Sequence, residues 1–477
     1  MEQLSGLDSA LVQGDLPNAP LHIGALFIYD PTSCPSGALA YEKLQTLVSH
    51  AIETSLPILK CRPQKIPLML DKPYWVEEQN FNLNYHIERF ALPKPANWDT
   101  LHDIAARFHA LPLNMERPLW QALFLENLDH LKGIPKGSIG LLFKIHHALA
   151  DGKAALHIFS ALHTLSAEPG SPMILSEKNI QPPDFTPPGL LQTWGRTYWH
   201  TVSAPFKLAK NILAITPALF RPDKNASVSS SLPDMTPAPQ SPFNTTPSAD
   251  RIIGHIRLPI TQLQALEKAS GCTINDIALC IIAGALREYL QQRGELPEPS
   301  LIAGMPIDIR SDNMKKAIGN QISVVRVSLH TEMCDPKARL EAIHQASSGS
   351  RTKNSKIGPK SLISIVDNIH PGLLVWSLRN LLATGLVEKM PNVINTITTN
   401  VPGIPVPCYL CGARLVDYVG FGPLSPTLSL FHVISSIHSH ANISFQGCSK
   451  SLKDPDAYTK ALEKSVKEIM DAYSLKD

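Results

Sequence analysis

The stretch from Pro222 to Ala249, PDKNASVSSSLPDMTPAPQSPFNTTPSA, constrains the fold more than any other feature of this sequence. It is crowded with Pro and Ser and has almost no apolar periodicity. Such a composition buries too little surface to fold alone, so the stretch reads as an exposed linker. It divides the 477 residues into an N-terminal part, 1–221, and a C-terminal part, 250–477, each the size of a single domain. Strand and helix signals alternate on both sides of it, which predicts an α/β chain built twice.

In the first part, His22 to Tyr29 is a β-like apolar run, and Tyr41 to Ile52 has helical spacing through Leu44, Leu47 and Ile52. Ser138 to Ile145 is short, apolar and preceded by Gly and Pro, the pattern of a buried strand. Lys153 to Leu165 returns to helical spacing. In the second part, Thr273 to Gln292 is a strong helix with Ile277, Ile281, Ala285 and Tyr289 on one stripe. Leu428 to Ser436 and Ala441 to Gln446 read as strands of a hairpin, and Asp456 to Tyr473 as an amphipathic helix.

Charge excludes one class of partner. The 43 basic and 41 acidic side chains leave a net charge of +2, without the basic excess that tracking a nucleic-acid backbone requires. Hydrophobic residues make up 44% and charged residues only 18%, a balance that suits a protein touching lipid or a long apolar ligand. No run reaches the ~18 apolar residues of a membrane span. The segment Met1 to Gly6 lacks the basic and apolar regions of a secretory signal, so a cytoplasmic location is expected, with the eight cysteines as free thiols. Cys408 and Cys411 form the only CxxC, read as two small buried side chains. Gln192 to Phe220 mixes Trp194, Trp199 and Phe206 with Arg196, Lys207 and Lys210. That pattern fits a helix lying in a membrane interface, and equally a helix packed across the domain surface.

The chemistry concentrates in Lys144-Ile145-His146-His147-Ala148-Leu149-Ala150-Asp151-Gly152. A strand delivers two histidines into a short loop, and Asp151 then starts a helix. Histidine is the natural general base near neutral pH, because its unperturbed pKa lies close to the working pH. Asp151 is placed to lock the loop, by a salt bridge or by accepting backbone N–H groups. It is equally an ordinary helix N-cap. A histidine pair beside an apolar strand is often structural. His147 and Asp151 are also half of a metal site, but no third ligand lies nearby in sequence.

HHALADG matches the HHxxxDG signature of the acyl-CoA-dependent acyltransferases with the chloramphenicol acetyltransferase-like fold. The rest of the chain resembles one branch, the bacterial wax ester synthase / acyl-CoA:diacylglycerol acyltransferase family. The opening LSGLDSALVQGDLPNAPLHIGALFIYD is similar to that family's start. Pro118-Leu119-Trp120 matches its PLW motif and Asn275-Asp276-Ile277 its ND motif. Ala317 to Ile322, Thr399-Asn400-Val401-Pro402-Gly403 and Asp454-Pro455-Asp456 match further blocks, in order. The run continues Ile404-Pro405, where the family usually places Pro directly after Gly.

The resemblance implies two chloramphenicol acetyltransferase-like domains with the active site and a substrate tunnel at their interface. It implies transfer of a long acyl chain from fatty acyl-CoA to diacylglycerol or a long-chain alcohol, giving triacylglycerol or wax ester. His147 would be the base, His146 and Asp151 its companions, and no acyl-enzyme would form. Gly152, Asn275, Asp276, Pro118, Trp120 and Asn400 would bind substrate or shape the site. Acyl-CoA is a substrate, so neither cofactor nor metal is expected, and the protein would dock on a membrane or lipid droplet without spanning it.

Several of these residues have other readings. Thr273 to Asp276 also looks like a capping box, which explains Asp276 structurally and Asn275 less well. Packing accounts for Trp120 better than substrate contact does. Arg310 is a candidate partner of Asp151. His438 and His440 read as surface or tunnel-lining residues without chemistry. There is no G-x-S-x-G elbow, Walker A loop, G-x-G-x-x-G or H-E-x-x-H. The rivals are a condensation-type or small-acceptor enzyme with the same motif, a non-catalytic lipid-binding protein, and a metal-dependent hydrolase using His146, His147 and Asp151.

Overall fold

The computed structural model describes residues 2–34, 37–150, 152–168, 236–308, 322–354, 371–401 and 403–475, with isolated positions between 170 and 203. Two six-stranded sheets dominate. The first has β2 (His22–Asp30) and β7 (Ile139–His146) at its centre, flanked by β6 (Trp120–Glu126), β5 (Ile87–Ala91), β13 (Ala413–Phe421) and β12 (Tyr409–Leu410). All its neighbours pair antiparallel except β5 and β6. The second runs β10 (Ile322–Ser328), β9 (Ile302–Asp308), β11 (Thr396–Asn400), β14 (Phe431–Ser436), β15 (His440–Gly447), β8 (Ile252–Pro259). Strands β1 (Glu2–Gln3), β3 (Cys61–Gln64) and β4 (Tyr74–Glu77) form a small third sheet.

The helices follow the apolar spacing of the sequence. Beside the first sheet lie α1 (Gly6–Gln13), α2 (Tyr41–Thr54), α3 (Trp98–Ala110) and α4 (Gly152–Leu162). The second carries α5 (Ile260–Ser270), α6 (Ile274–Gln292), α7 (Pro336–Asn354) and α9 (Pro455–Ala472), while α8 (Pro371–Ala383) packs against α1. Helix α6 is buried nearly all round, as its apolar content demands. Its first turn is closed by the expected capping box between Thr273 and Asp276. Strands β14 and β15 form the predicted hairpin, Phe431 facing Gln446 and Ser436 facing Ala441.

The linker does not separate the sheets cleanly. Residues 409–421 leave the second half and add β12 and β13 to the first sheet, with Tyr418 opposite Phe27 and Gly420 opposite Ala25. Part of the stretch read as exposed is also packed. Phe243 is fully buried, and its carbonyl accepts from both the backbone N–H and the hydroxyl of Ser429, each at 2.9 Å. Asn395 Nδ2 donates to Pro239 O at 2.6 Å and to Asn244 Oδ1 at 2.7 Å. One buried aromatic and a few side-chain amides thus fix 236–249 against the second sheet, despite a composition that resembles a free chain. Residues 222–235 lie outside the described part.

Among the described residues no single helix is long and apolar enough to cross a membrane. Helices α5 and α6 together have the length and composition, but they meet at 100° and α6 is core. All eight cysteines are free thiols.

Candidate active site

The two histidines stand at the end of β7, a central strand of the first sheet. Register fixes their surroundings: His22 faces His146 across the β2 pairing, and Gly24 faces Lys144. Past the strand end the backbone is held from both sides. His146 N–H donates to Leu119 O and His147 N–H to Leu21 O, each at 2.9 Å. The PLW motif therefore serves the site through the carbonyl of its leucine.

The two histidines divide the work. His146 is fully buried and builds the turn. Its carbonyl accepts from Leu149 and Ala150, at 2.9 and 3.3 Å, and its Nδ1 accepts from the Ala148 N–H at 3.1 Å. Burial pushes its pKa down to about 3, with His147 adding to the effect, so the ring is neutral at neutral pH. Because Nδ1 accepts, the ring proton sits on Nε2. That nitrogen lies 3.9 Å from Asp15 Oδ1, a contact between a neutral ring and a carboxyl rather than an ion pair. His147, by contrast, is half-buried, at the first position of the turn.

Asp15 is a site residue that the sequence reading missed. Its Oδ1 accepts from the Leu21 N–H at 2.7 Å, and Leu21 in turn holds His147. Burial raises its pKa to about 6, against the lowering effects of the Leu21 bond and Lys65. Nothing in the run Gly14-Asp15-Leu16 distinguishes this Asp from a surface turn residue; only the fold brings it to His146.

Three further buried groups line the same face of the sheet. Lys144 Nζ donates to Phe108 O at 2.8 Å and Leu111 O at 2.7 Å, capping the negative end of α3. Burial pushes its pKa down to about 8. His109 packs over Gly24 and meets Gln446 of β15 at 3.2 Å, so α3 ties the first sheet to the second. Burial lowers its pKa to about 3, and that of His22 well below the usual range, the latter with help from His109, Lys144 and His146. A positional signal existed for Lys144, which shares a face of β7 with His146 by period-two spacing; His22 joins them only through the β2–β7 register.

The remaining expectations fare variously. Pro118 and Trp120 are buried beside the motif. Trp120 Nε1 donates to Leu59 O at 2.8 Å, and its ring stacks on His86 with centroids 4.7 Å apart, so it is a packing residue. Trp120→Phe leaves the buried Leu59 carbonyl without its donor. It is expected to cost about 1–3 kcal/mol in chemical denaturation while the folded fraction keeps its turnover.

Asp151 lies outside the described residues, as do Arg310 and Ala317 to Gln321; Gly152 starts α4. Asn275 is buried at the second position of α6, its Nδ2 without a hydrogen-bond partner among the described residues. Asp276 is tied to structure rather than to the histidines. It accepts from Ser347 Oγ at 2.6 Å, Thr273 Oγ1 at 2.8 Å and His344 Nδ1 at 2.8 Å. Burial alone would raise its pKa, but these bonds hold it below the ordinary value. Asn400 is exposed at the end of β11, opposite Ile434.

His440 corrects the surface half of its reading. It is buried, and its Nε2 meets the fully buried Asp417 at 3.0 Å, while Asn442 Nδ2 donates to the same oxygen at 2.6 Å. A register shift in β13 beside Asp417, invisible in the sequence, creates this contact between the sheets. His438 is exposed.

Comparisons with known proteins agree with this architecture. The wax ester synthase/diacylglycerol acyltransferase catalytic domain matches residues 4–278, and the C-terminal domain of that family matches 318–470. A Mycobacterium tuberculosis protein named probable diacylglycerol O-acyltransferase tgs2 is 28% identical over 462 residues, 96% of each chain. The wax ester synthase/diacylglycerol acyltransferase from Marinobacter aquaeolei VT8 superposes with a TM-score of 0.70 at 23% identity, covering all of both chains. The first condensation domain of the CDA synthetase superposes at 0.55 with 14% identity, over 99% of this chain and 96% of that one. The fold is thus the chloramphenicol acetyltransferase-like, condensation-type fold. With a strand-end histidine pair held by the PLW backbone and both family domains spanning the chain, the protein belongs to the wax ester synthase/diacylglycerol acyltransferase family and is an acyltransferase.

Proposed function

We propose that the protein moves a long-chain fatty acyl group from acyl-CoA to diacylglycerol or a long-chain alcohol in one direct step. The observation that carries this reading is the division between the histidines: a neutral, buried His146 builds the turn, and a half-buried His147 is presented by it. His147 takes the proton of the acceptor hydroxyl. The oxygen attacks the thioester carbonyl, the C–S bond breaks, and the thiolate of CoA recovers the proton from the imidazolium. The residues name no nucleophile for an acyl-enzyme, and the step needs no cofactor. Asn275 serves as a substrate-facing donor from the second half.

An apolar tunnel between the halves selects long chains, because each buried CH₂ contributes roughly 0.8 kcal/mol. Docking on a lipid surface from the cytoplasmic side supplies the water-insoluble acceptor. The support for docking is exposed aromatic surface: Trp194, Tyr198 and Trp199 in helical residues 194–200, and Trp376 on α8. Amphipathic rings of this kind sit at lipid interfaces.

The test is CoA release from palmitoyl-CoA by purified protein, with hexadecanol or dioleoylglycerol in mixed micelles. Release that depends on either acceptor, with the matching ester formed, is the expected result. Release equal with and without acceptor would mean hydrolysis and would sink the transfer reading.

A further inference from the structure

The start of α6 is held by more than its own cap. Asp276 is almost wholly buried, and its carboxylate receives two groups from Thr273 and two from α7: Ser347 Oγ on Oδ1 and His344 Nδ1 on Oδ2. A capping box alone needs only the Thr273 pair. The α7 groups add a cross-link from a neighbouring helix to the first turn of α6. His344 Nδ1 meets the Asp276 carboxylate at 2.8 Å, and its side chain is 38% exposed. The residue immediately before Asp276 is Asn275, whose Nδ2 is buried and has no hydrogen-bond partner among the described residues. A buried donor left unmade is costly, and such groups in native proteins call for an unseen partner.

We infer that His344 is a positioning residue for acyl transfer: by holding Asp276 it fixes the first turn of α6 and aims the Asn275 amide at a carbonyl oxygen of the bound substrate. This rests on the proposed transfer reaction. The ligand atom is a neutral carbonyl rather than an anion, because the Asp276 carboxylate occupies the same helix end and repels negative charge. Without His344, the carboxylate keeps only hydroxyl and backbone donors, and the link between α7 and α6 loosens.

The experiment is a double-mutant cycle on the full chain, read by CoA release and by thermal unfolding. His344→Ala is expected to lower kcat about tenfold with KM for palmitoyl-CoA within about twofold, since misplaced groups tax the transition state. His344→Arg, which donates to Asp276 from the same exposed position, is expected to restore at least about half of that loss. On the Asn275→Ala background, His344→Ala is expected to add less than about twofold. If His344→Ala lowers the unfolding temperature sharply, the same cycle is read with His344→Gln, which keeps an N–H donor of similar size. Equal losses on both backgrounds, or a folded His344→Arg as slow as the alanine variant, would overturn the inference. So would Asn275→Ala with unchanged kcat, and in that case the transfer reaction itself stands. Wild-type protein without acceptor-dependent release would instead refute the reaction.

Discussion

His147→Ala loses acceptor-dependent CoA release by roughly 10²–10⁴, the usual worth of a positioned general base. The fold survives the change. The main-chain bond from His147 to Leu21 needs no side chain, and the ring is only half-buried. The unfolding temperature should therefore stay close to that of the wild type. His146→Ala behaves in the opposite manner. It removes the acceptor of the Ala148 N–H and opens a cavity in a fully buried site, so it lowers stability and takes activity down with it. Steady-state kinetics and thermal unfolding on both variants separate the two roles. If His147→Ala keeps its rate, or if His146→Ala is inactive at unchanged stability, the assignment of base and scaffold is wrong.

The sequence carried the elements well because most of them are amphipathic or buried runs with clean periods. Ser138 to Ile145 and Thr273 to Gln292 differ from the observed strand and helix by a single residue at their ends. The HHxxxDG histidines were legible through the family resemblance, carried by an ordered set of motifs, since a histidine pair after an apolar strand is by itself more often structural. What escaped was everything set by tertiary approach. Asp15 and His146 are far apart in sequence, and no local pattern marks a turn Asp that the fold buries. The return of 409–421 to the first sheet escaped as well, since a strand's period says which face is apolar and not which sheet it joins. His440 was misjudged because a polar residue in a strand is normally an outward one, and only a register shift beside Asp417 turns it into a buried partner. Phe243 shows the converse: one aromatic anchors a segment whose average composition looks unfolded.

Asp15→Asn raises stability at pH 7.5 and slows turnover. A carboxyl held near 6 instead of its ordinary 3.8 costs the native state roughly 2–3 kcal/mol at neutral pH, an upper limit for a group that relaxes on opening. The sign follows from proton uptake. Between those two values the native state holds the Asp15 proton and the unfolded chain does not, so wild-type stability from this group rises as the pH falls through 6. The asparagine variant carries no such cost. Its advantage in unfolding temperature is therefore full at pH 7.5 and gone near pH 4. Activity moves the other way. The amide oxygen still accepts from Leu21, but the neighbouring carboxylate that favours a proton on His146 Nε2 is lost. An amide N–H facing that nitrogen favours the other tautomer, which sets a proton on Nδ1 against the Ala148 N–H and opens the turn. Displacement of His147 by a fraction of an ångström is expected to lower kcat about tenfold. Thermal unfolding of both proteins at pH 4 and 7.5, with kcat at pH 7.5, decides the matter. A less stable Asp15→Asn at neutral pH would show that the carboxylate is a net stabiliser of the native state. An unchanged kcat would show that the turn holds His147 without the help of Asp15.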